Sequence, residues 1–421
     1  MDYQTVEEPR FPLEDADRCV KCGLCLPHCP TWLETGDEGD SPRGRIALMQ
    51  GLASGQLKPD PVSAGHLDRC LDCRACERVC PANVPYGKLI DAARAHLYPA
   101  RTVWDRRLHA LVARPGRLRR FGRVVRALRR LGLLHLGARG PWPRWLRRLA
   151  SMPGPADAPP APGVHPGIGE RRGRVALFIG CLAGEFDTRT ARDAVFVLTR
   201  LGYEVTIPEN QGCCGALDQH AGQPDAAREF AHANLSAFTG GFDAIITTAS
   251  GCAATLLDYP RLAVRAGEGA EFAARVLDIS SFLVRRLDEF RDRLGDVSRR
   301  VVVHQPCTLR NVLRGDADVA RLIGAVPGVT VAPLPGDDHC CGAAGSYVIN
   351  QRAMSARLLE REVRRVRQAA PDWLLSSNIG CAMQLRAGLT TAGRAVTVRH
   401  PVSLVAESLA GRQPRRGILL R

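Results

Sequence analysis

Two short stretches of the chain carry cysteines at the spacing with which proteins hold iron-sulfur clusters. In each stretch three cysteines are separated from one another by two residues, and a fourth comes four positions after the third and directly before a proline. The first stretch contains Cys19, Cys22, Cys25 and Cys29, and the second contains Cys70, Cys73, Cys76 and Cys80. Three thiolates so closely spaced can occupy three corners of one cubane cluster. Two complete copies therefore predict two 4Fe-4S clusters.

The pairing of these cysteines follows from the usual ferredoxin arrangement, in which the fourth cysteine of each run ligates the other cluster. We therefore expect one cluster on Cys19, Cys22, Cys25 and Cys80, and the other on Cys70, Cys73, Cys76 and Cys29. Structural zinc is the alternative metal, but zinc usually draws on two separated Cys-x-x-Cys pairs. Iron-sulfur clusters are the better match to this spacing.

Eight more cysteines lie beyond residue 172, and each of them follows a predicted strand. They are Cys181, Cys213, Cys214, Cys252, Cys307, Cys340, Cys341 and Cys381. Counterparts are separated by 126 residues for the first of each set, 127 for the adjacent pairs and 129 for the last. This near-constant separation indicates an internal duplication.

Cysteines at strand ends predict a convergent site, because functional groups in parallel α/β sheets gather beyond the carboxyl ends of the strands. We expect a further cluster or a redox site there, and the glycine after each adjacent pair allows the tight turn that this requires. The alternative is a redox-active thiol pair, since adjacent cysteines can form a strained disulfide. His220, His304 and His339 lie near these cysteines in sequence and could donate hydrogen bonds to a cluster or relay a proton. A purely structural role is the alternative for each histidine.

The elements that must position these cysteines divide the 421 residues into five predicted segments. Residues 1–99 are expected to form an α-helical ferredoxin-type domain for two clusters, with Ser41-Pro42 starting a helix between the two cysteine runs. Residues 100–150 form a basic amphipathic helical segment, and residues 151–172 an extended, mobile linker rich in proline and glycine. Alternating strands and helices predict two duplicated α/β domains at 173–298 and 299–421, so the fold class is mixed.

The net charge of +15 is concentrated in the basic segment, where residues 101–150 hold fifteen arginines and one acid, Asp105. No base-stacking aromatic pattern or nucleic-acid reading module accompanies them, which disfavours nucleic acid as the partner. Anionic lipid headgroups or an acidic partner are favoured, and a basic face packed on the protein itself is the alternative. The acidic N-terminal residues do not resemble a signal peptide, and no run of eighteen apolar residues occurs. We expect a cytoplasmic protein with reduced thiols, either free or attached to the inner face of the membrane.

Several of these motifs resemble those of proteins with CCG domains, best known from heterodisulfide reductase. Together with two ferredoxin runs, they resemble the iron-sulfur subunits of bacterial glycolate oxidase. The residues that carry the resemblance are Gly36–Arg45, Leu67–Cys73, Gly212–Ala216, Thr248–Cys252, Pro306–Leu309 and Asn378–Cys381. The fullest CCG pattern ends Cys-x-x-Cys, but Thr255 and Gln384 stand at its last position in this chain. Either one four-thiolate cluster in each half or a single cluster between the halves is compatible with this set.

The resemblance implies an electron-transfer subunit of a glycolate or other 2-hydroxy acid oxidase or dehydrogenase complex. No flavin or nicotinamide motif occurs, so FAD is expected only on a partner flavoprotein, and this chain is not expected to oxidise the substrate alone. A quinone or another carrier would be the acceptor, and no catalytic residue is assigned. The alternatives are a disulfide reductase of the heterodisulfide-reductase type and an iron-sulfur subunit of a lactate or glycerol-3-phosphate dehydrogenase.

Overall fold

The structure is a computed structural model that describes residues 11–97, 103–112, 115–131, 158–262, 266–334, 340–391 and 396–411. Its first part, residues 11–97, consists of short helices and loops. The α-helices are α1 (Leu13–Asp17), α2 (Pro30–Thr35), α3 (Pro42–Ala53), α4 (Pro61–Asp68), α5 (Ala75–Arg78) and α6 (Tyr86–Ala92). Short 3₁₀ turns at Leu26–His28 and Glu38–Asp40 and a π-helical turn at Ala93–Leu97 complete it.

The predicted helix between the two cysteine runs is present as α3, and its start is confirmed. The Ser41 side chain accepts a hydrogen bond from the Gly44 amide, and Pro42 occupies the first turn, where no amide donor is needed. Met49, Leu67, Leu89 and Ile90 are fully buried and form the core of this region. A small helical scaffold therefore supports both cysteine loops.

The next two helices lie in the basic segment and are α7 (Val103–Val112) and α8 (Pro115–Arg130). Leu118 and Val125 of α8 are buried, and the Phe121 ring contacts the Phe186 ring of the following region at 6.2 Å between centroids. Arg117, Arg119, Arg120 and Arg123 are exposed. The apolar side of α8 thus packs on the protein, and these four arginines face solvent. The rest of the basic segment, including Trp142 and Trp145, lies outside the described residues.

The first repeat, predicted at 173–298, contributes four strands to a five-stranded sheet in the order β1-β3-β2-β4-β5, and β1 comes from the segment before it. The strands are β1 (Gly163–His165), β2 (Gly173–Phe178), β3 (Tyr203–Ile207), β4 (Ala244–Thr247) and β5 (Val276–Asp278). Its helices are α9 (Cys181–Phe186), α10 (Thr188–Arg200), α11 (Ala216–Gln219), α12 (Pro224–Ala237), α13 (Ser250–Leu257), α14 (Tyr259–Leu262), α15 (Ala266–Arg275) and α16 (Ile279–Val284). Strands β2 to β5 are parallel, and only β1 is antiparallel to its neighbour.

In the second repeat, predicted at 299–421, the described residues contain a parallel four-stranded sheet in the order β7-β6-β8-β9. The strands are β6 (Arg299–His304), β7 (Val329–Val331), β8 (Trp373–Ser376) and β9 (Thr397–Arg399). The helices are α17 (Asp316–Gly324), α18 (Tyr347–Asn350), α19 (Arg352–Ala369), α20 (Ile379–Thr391) and α21 (Pro401–Gly411). The predicted fold class, a helical ferredoxin-type region followed by duplicated α/β units, is confirmed.

Three strands were not predicted, and each is only three residues long. Strands β5 and β9 close the parallel part of the two sheets at equivalent places, beside β4 and β8. Strand β1 lies within the segment expected to be an extended, mobile linker, and its residues pair with Thr206 and its neighbours. A three-residue strand is too short for an alternation pattern, which explains why periodicity did not indicate it. Residues 163–165 are therefore attached to the sheet and are not a free tether.

The two repeats share one hydrophobic core, which contains buried residues of β2, β6 and β8 and of four helices. Helix α10 of the first repeat packs on α21 of the second, and α17 of the second packs on α16 of the first. In the duplicated order of elements, α10 corresponds to α17 and α16 corresponds to α21. The two helix contacts are therefore equivalent, which indicates a pseudo-two-fold relation between the repeats. No helix among the described residues is long and apolar enough to cross a membrane.

Candidate functional site: three groups of cysteines

The first cysteine group consists of Cys19, Cys22, Cys25 and Cys80, which line one cavity of about 40 Å³. Val20 and Leu24 in the surrounding loop are 72% and 57% exposed, and Cys22 itself is exposed. Burial raises the pKa of the Cys25 thiol to about 11, so binding a metal there must displace its proton. The group therefore lies close to the protein surface.

The second cysteine group consists of Cys29, Cys70, Cys73 and Cys76, which line a separate cavity of about 20 Å³. Cys29 and Cys70 are buried, and burial raises the pKa of both Cys73 and Cys76. The structure thus brings together the two crosswise sets that the sequence predicts, with Cys76 also bordering the first cavity. Their assignment as ligand sets remains a proposal.

The backbone of both loops suits a bound cluster, because each loop curls in the same way. Lys21 and Gly23 in the first run have φ angles of 57° and 85°, and Asp72 and Arg74, the equivalent residues of the second run, have 47° and 55°. Left-handed residues at these two places turn the chain so that successive thiols face one centre. The Asp72 amide also donates to Cys70 Sγ at 3.4 Å. Such amide bonds stabilise thiolates and cluster sulfurs.

A buried cation lies beside the second cysteine group. Arg45 is 1% exposed, and its Nη1 atom lies 4.0 Å from Cys29 Sγ and 3.0 Å from Thr31 Oγ1. Asp40 accepts from Arg45 and Arg69, and hydrogen bonds from His66 and Arg69 hold the pKa of its carboxyl low against the opposing effect of burial. Burial opposes the charge of Arg45, but the negative charges of Cys70, Cys29 and Asp40 outweigh it and raise the pKa of Arg45, which stays charged.

The third group is formed by the eight cysteines of the two repeats, which all line one cavity of about 520 Å³. This eight-cysteine cavity lies where the carboxyl ends of β2, β4, β6 and β8 meet, as predicted for strand-end residues. The predicted turn glycines are confirmed, since Gly215 and Gly342 have φ angles of 90° and 75°. The Gly215 and Gly342 amides each donate to the first sulfur of the preceding pair at 3.4 Å. None of the sixteen cysteines forms a disulfide.

In the first repeat the four thiols interact directly with one another. The Sγ atoms of Cys181 and Cys213 lie 3.5 Å apart. Hydrogen bonds from Cys213 and Cys252 lower the pKa of Cys214 well below that of a free thiol, so one sulfur of this set is readily ionised. Thr255, which occupies the last position of the fuller motif, also lines the cavity.

The second repeat adds a histidine to its four cysteines. A ring nitrogen of His304 and the sulfurs of Cys341 and Cys381 all lie within 4.8 Å of one another, and all three residues are buried. Burial, together with the positive charges of Arg310 and Arg365, lowers the pKa of His304 to about 3, so the imidazole is neutral. Asn378 Nδ2 donates to Cys381 Sγ at 3.4 Å.

One wall of the eight-cysteine cavity comes from the ferredoxin-type region. His220 of the first repeat bonds through Nδ1 to Asp72 at 2.8 Å and to Asp91 at 3.1 Å. These carboxylates raise the pKa of His220 well above its usual value in spite of burial. Arg94 donates to the carbonyls of Leu67, Cys70 and His220 at 3.1, 2.7 and 3.1 Å. Asp72, Asp91 and Arg94 were not singled out by sequence reasoning, because their partner His220 is more than a hundred residues away.

The second cysteine group lies next to the second repeat. Cys73 and Cys307 pack in the same apolar cluster with Leu71, Cys340 and Tyr347. Asn311 Nδ2 donates to the Cys73 carbonyl at 2.7 Å, and Tyr347 donates to the Arg69 carbonyl at 3.1 Å. Cys70 and Leu71 line both the second cavity and the eight-cysteine cavity. His339, another predicted neighbour, lies outside the described residues.

Two protein-family models match the chain. The 4Fe-4S dicluster domain matches residues 15–84, and the cysteine-rich domain, abbreviated CCG, matches twice, at residues 175–257 and 301–386. The two matches of one model confirm the duplication. The dicluster match supports two 4Fe-4S clusters, and not structural zinc, as the cofactors of the N-terminal region.

Several curated proteins are similar to this chain. The probable glycolate oxidase iron-sulfur subunit of Bacillus subtilis is 34% identical over 414 residues, which covers 93% of each chain. The glycolate oxidase iron-sulfur subunit of Escherichia coli is 32% identical over 410 residues, again 93% of each chain. Lactate utilization protein A of Shouchella clausii is 29% identical over 230 residues, which is 54% of this chain and 95% of that protein.

Proposed function

Since the chain belongs to the family of glycolate oxidase iron-sulfur subunits, we propose that it conducts electrons from a partner flavoprotein that oxidises glycolate to an acceptor at the eight-cysteine cavity. When bound, iron-sulfur clusters accept and release one electron at a time, whereas the flavin of a partner can take two from an alcohol. The role of the chain's own residues is to hold these centres in a fixed order and to set the charge around them.

The observation that carries the proposal is the spatial order of the three cysteine groups. The first group is at the surface, the second is buried and shares a wall with the first, and Cys73 of the second packs with Cys307 at the cavity. We assign Cys19, Cys22, Cys25 and Cys80 to the first cluster and Cys29, Cys70, Cys73 and Cys76 to the second. A continuous route through the protein follows from this order.

The surface around the first group is suited to receive the flavoprotein. Val20 and Leu24 flank exposed Cys22, so a partner that covers them would exclude water from the first cluster. Lys21 in this loop and Arg43 at the start of α3 line the same cavity and are positively charged, although the charge of Arg43 is paired with Glu38. An acidic, partly apolar surface on the flavoprotein would match this entrance.

The exposed arginines of α8 suggest a second contact, with an anionic membrane surface. Because Leu118, Phe121 and Val125 pack inward or are partly covered, the helix would bind headgroups by charge and would not insert an apolar face. This arrangement would bring the eight-cysteine cavity, whose Cys181 begins the adjacent helix α9, close to a membrane quinone. Binding should then fall steeply as salt is raised.

The test is glycolate-dependent cluster reduction in the anaerobically purified complex, followed by electron paramagnetic resonance. Glycolate should reduce the clusters only when the flavoprotein is present. Cys80→Ser and Cys29→Ser provide the matched pair: the first should remove the signal of the first cluster and block entry, and the second should leave the first cluster reducible while the cavity stays oxidised.

Reduction by glycolate without a flavoprotein, or loss of the same cluster in both variants, would contradict the proposal. Replacing glycolate with lactate distinguishes the nearest alternative, since lactate utilization protein A resembles just over half of this chain. Turnover of an added disulfide without a flavoprotein would instead favour a disulfide reductase.

A further inference from the structure

The two repeats differ at one position beside their cysteines. Phe178 is the last residue of β2 and pairs with Thr247, and His304 is the last residue of β6 and pairs with Ser376. The separation of 126 residues between them equals that between Cys181 and Cys307. His304 therefore stands where the first repeat has an aromatic ring that packs among Cys213, Cys214 and Cys252.

The environment of His304 leaves one nitrogen for a metal. Its side chain is 4% exposed, and Nδ1 lies 3.2 Å from the Ser376 hydroxyl. Within the described part of the chain, Nε2 has no hydrogen-bond partner. A buried imidazole nitrogen without a partner costs free energy, so a ligand at this point would satisfy it.

The neighbouring atoms are those of a metal site. A ring nitrogen of His304 and the sulfurs of Cys341 and Cys381 fall within 4.8 Å of one another. Ser376 on Nδ1 is the kind of outer partner that fixes the tautomer of a ligating histidine. Gln384, which replaces the last cysteine of the fuller motif, points elsewhere, because its Nε2 donates to Ser355 Oγ at 3.0 Å.

We infer that His304 is a nitrogen ligand to the iron-sulfur centre held by the cysteines of the second repeat, whereas the first repeat offers thiolates alone. This inference rests on the proposed function in one respect, because it takes the redox centre at the eight-cysteine cavity to be an iron-sulfur cluster. Replacing a thiolate with a neutral imidazole makes a centre less negative and raises its reduction potential, as in Rieske centres. The centre of the second repeat is then the stronger electron acceptor of the two, which makes the repeats unequal in spite of their common fold.

The experiment is pulsed electron paramagnetic resonance on the reduced, full-length holoprotein in which only histidine carries ¹⁵N. The parent protein should show a ¹⁵N coupling large enough to require direct coordination. His304→Phe, which copies the first repeat, should abolish this coupling. His304→Cys should also abolish it while retaining the centre, now with a lower midpoint potential.

His400 provides a matched control, because it is a second buried histidine of the same repeat with a pKa lowered to about 3 by burial. Its Nδ1 accepts from the Val402 amide at the start of α21, a role that asparagine can fill. His400→Asn should leave the ¹⁵N coupling unchanged. If His304→Phe does not fold, His304→Ala supplied with ¹⁵N-imidazole gives the same reading, since free imidazole should restore the coupling.

Absence of a strong ¹⁵N coupling in the parent, or its persistence in a folded His304→Phe protein, would overturn the inference. Neither result would affect glycolate-dependent reduction of the two N-terminal clusters. Conversely, a strong coupling that depends on His304 in a protein that glycolate does not reduce would support the ligand and reject the electron-transfer proposal.

Discussion

Arg45 illustrates how one side chain can distinguish two otherwise similar cluster sites. Its guanidinium is enclosed between Cys29, Thr31 and Asp40, and its Nε donates to the His66 carbonyl at 2.6 Å. The corresponding cation near the first group, Arg43, has a side chain 32% exposed and pairs with Glu38. Water screens the charge of Arg43 far more than the charge of Arg45.

We predict that Arg45→Gln lowers the midpoint potential of the second cluster by tens of millivolts, because a buried positive charge beside it is lost. The same change should destabilise the protein by roughly 3–5 kcal/mol, since it weakens the pairing of buried Asp40. Redox titration followed by electron paramagnetic resonance measures the potential. Arg43→Gln is the control and should shift the first cluster only slightly; equal shifts from both variants would disprove the argument.

At this scale the sequence predicted the candidate ligands but not the residues that surround them. The spacing of the cysteines predicts cluster binding. Arg45, by contrast, is one of many arginines, and only the fold shows that it is buried. The same holds for His304, which was noted as a neighbour of Cys307 in sequence. Its proximity to Cys341 and Cys381 depends on how β6 pairs with β8.

At the scale of the element, Asp278 caps helix α16 with a carboxyl group that is buried. It precedes α16 and accepts from the Ser280 amide at 2.8 Å as the helix cap. Burial raises the pKa of its carboxyl to about 6, so near neutral pH the fold must accommodate a buried negative charge.

We predict that Asp278→Asn stabilises the protein above pH 6 by roughly 1–3 kcal/mol. The native carboxyl binds a proton more tightly than the unfolded one, so its favourable contribution is complete below about pH 4 and is lost as the pH rises through 6. The advantage of asparagine should therefore shrink on acidification. Anaerobic thermal unfolding between pH 5 and 8 measures the difference. Asp60→Asn, at a partly exposed cap that accepts hydrogen bonds from Ser63 which lower its pKa, should show the opposite sign.

The turn that contains Arg94 joins the ferredoxin-type region to the first repeat. Besides the three carbonyls that Arg94 binds, its own carbonyl lies so near Gly222 that a Cβ atom there would be 2.4 Å away. Backbone contact this close leaves little room for the two parts to move. The position of the second cluster relative to the cavity depends on this junction.

Arg94→Ala should destabilise the protein by roughly 2–4 kcal/mol, because a charged donor loses one hydrogen bond across the junction, to His220, and two within the ferredoxin-type region. Electron transfer from the second cluster to the cavity should slow, while the midpoint potential of the first cluster stays as in the parent. Rapid-freeze measurements after reduction of the N-terminal clusters follow the transfer. Lys88→Ala is the control, since this exposed residue pairs with Asp15 at the surface, and its effect should be within about 0.5 kcal/mol.

At the scale of the whole molecule, the two repeats are joined by one hydrophobic core. Helices α10 and α17 are each covered by the last helix of the other repeat, and Val402, Leu404 and Val405 of α21 are fully buried by this packing. The sequence predicted the duplication from cysteine offsets, but those offsets contain no information about which helix packs on which. The shared core and the single cavity are consequences of packing between distant segments.

We predict that residues 158–298 expressed alone do not form a stable fold. Each buried aliphatic side chain contributes about 1.5–3 kcal/mol, so removing α17 and α21 costs an amount comparable to the net stability of a domain. Circular dichroism and denaturant titration should show a non-cooperative state. Co-expression with residues 299–421 as a second chain should restore cooperative unfolding, and an isolated first repeat that unfolds cooperatively would refute the shared-core argument.

The exposed position of Cys22 also determines where oxidative damage to the protein should begin. The opening that would admit a flavoprotein also admits dioxygen and peroxide when no partner covers it, and thiolate-bound iron near the surface is oxidised first. Oxidative damage should therefore begin at the first cluster. The enclosed centres would stay intact but would no longer receive electrons. The subunit would be sensitive to oxidation chiefly when no flavoprotein is bound to it.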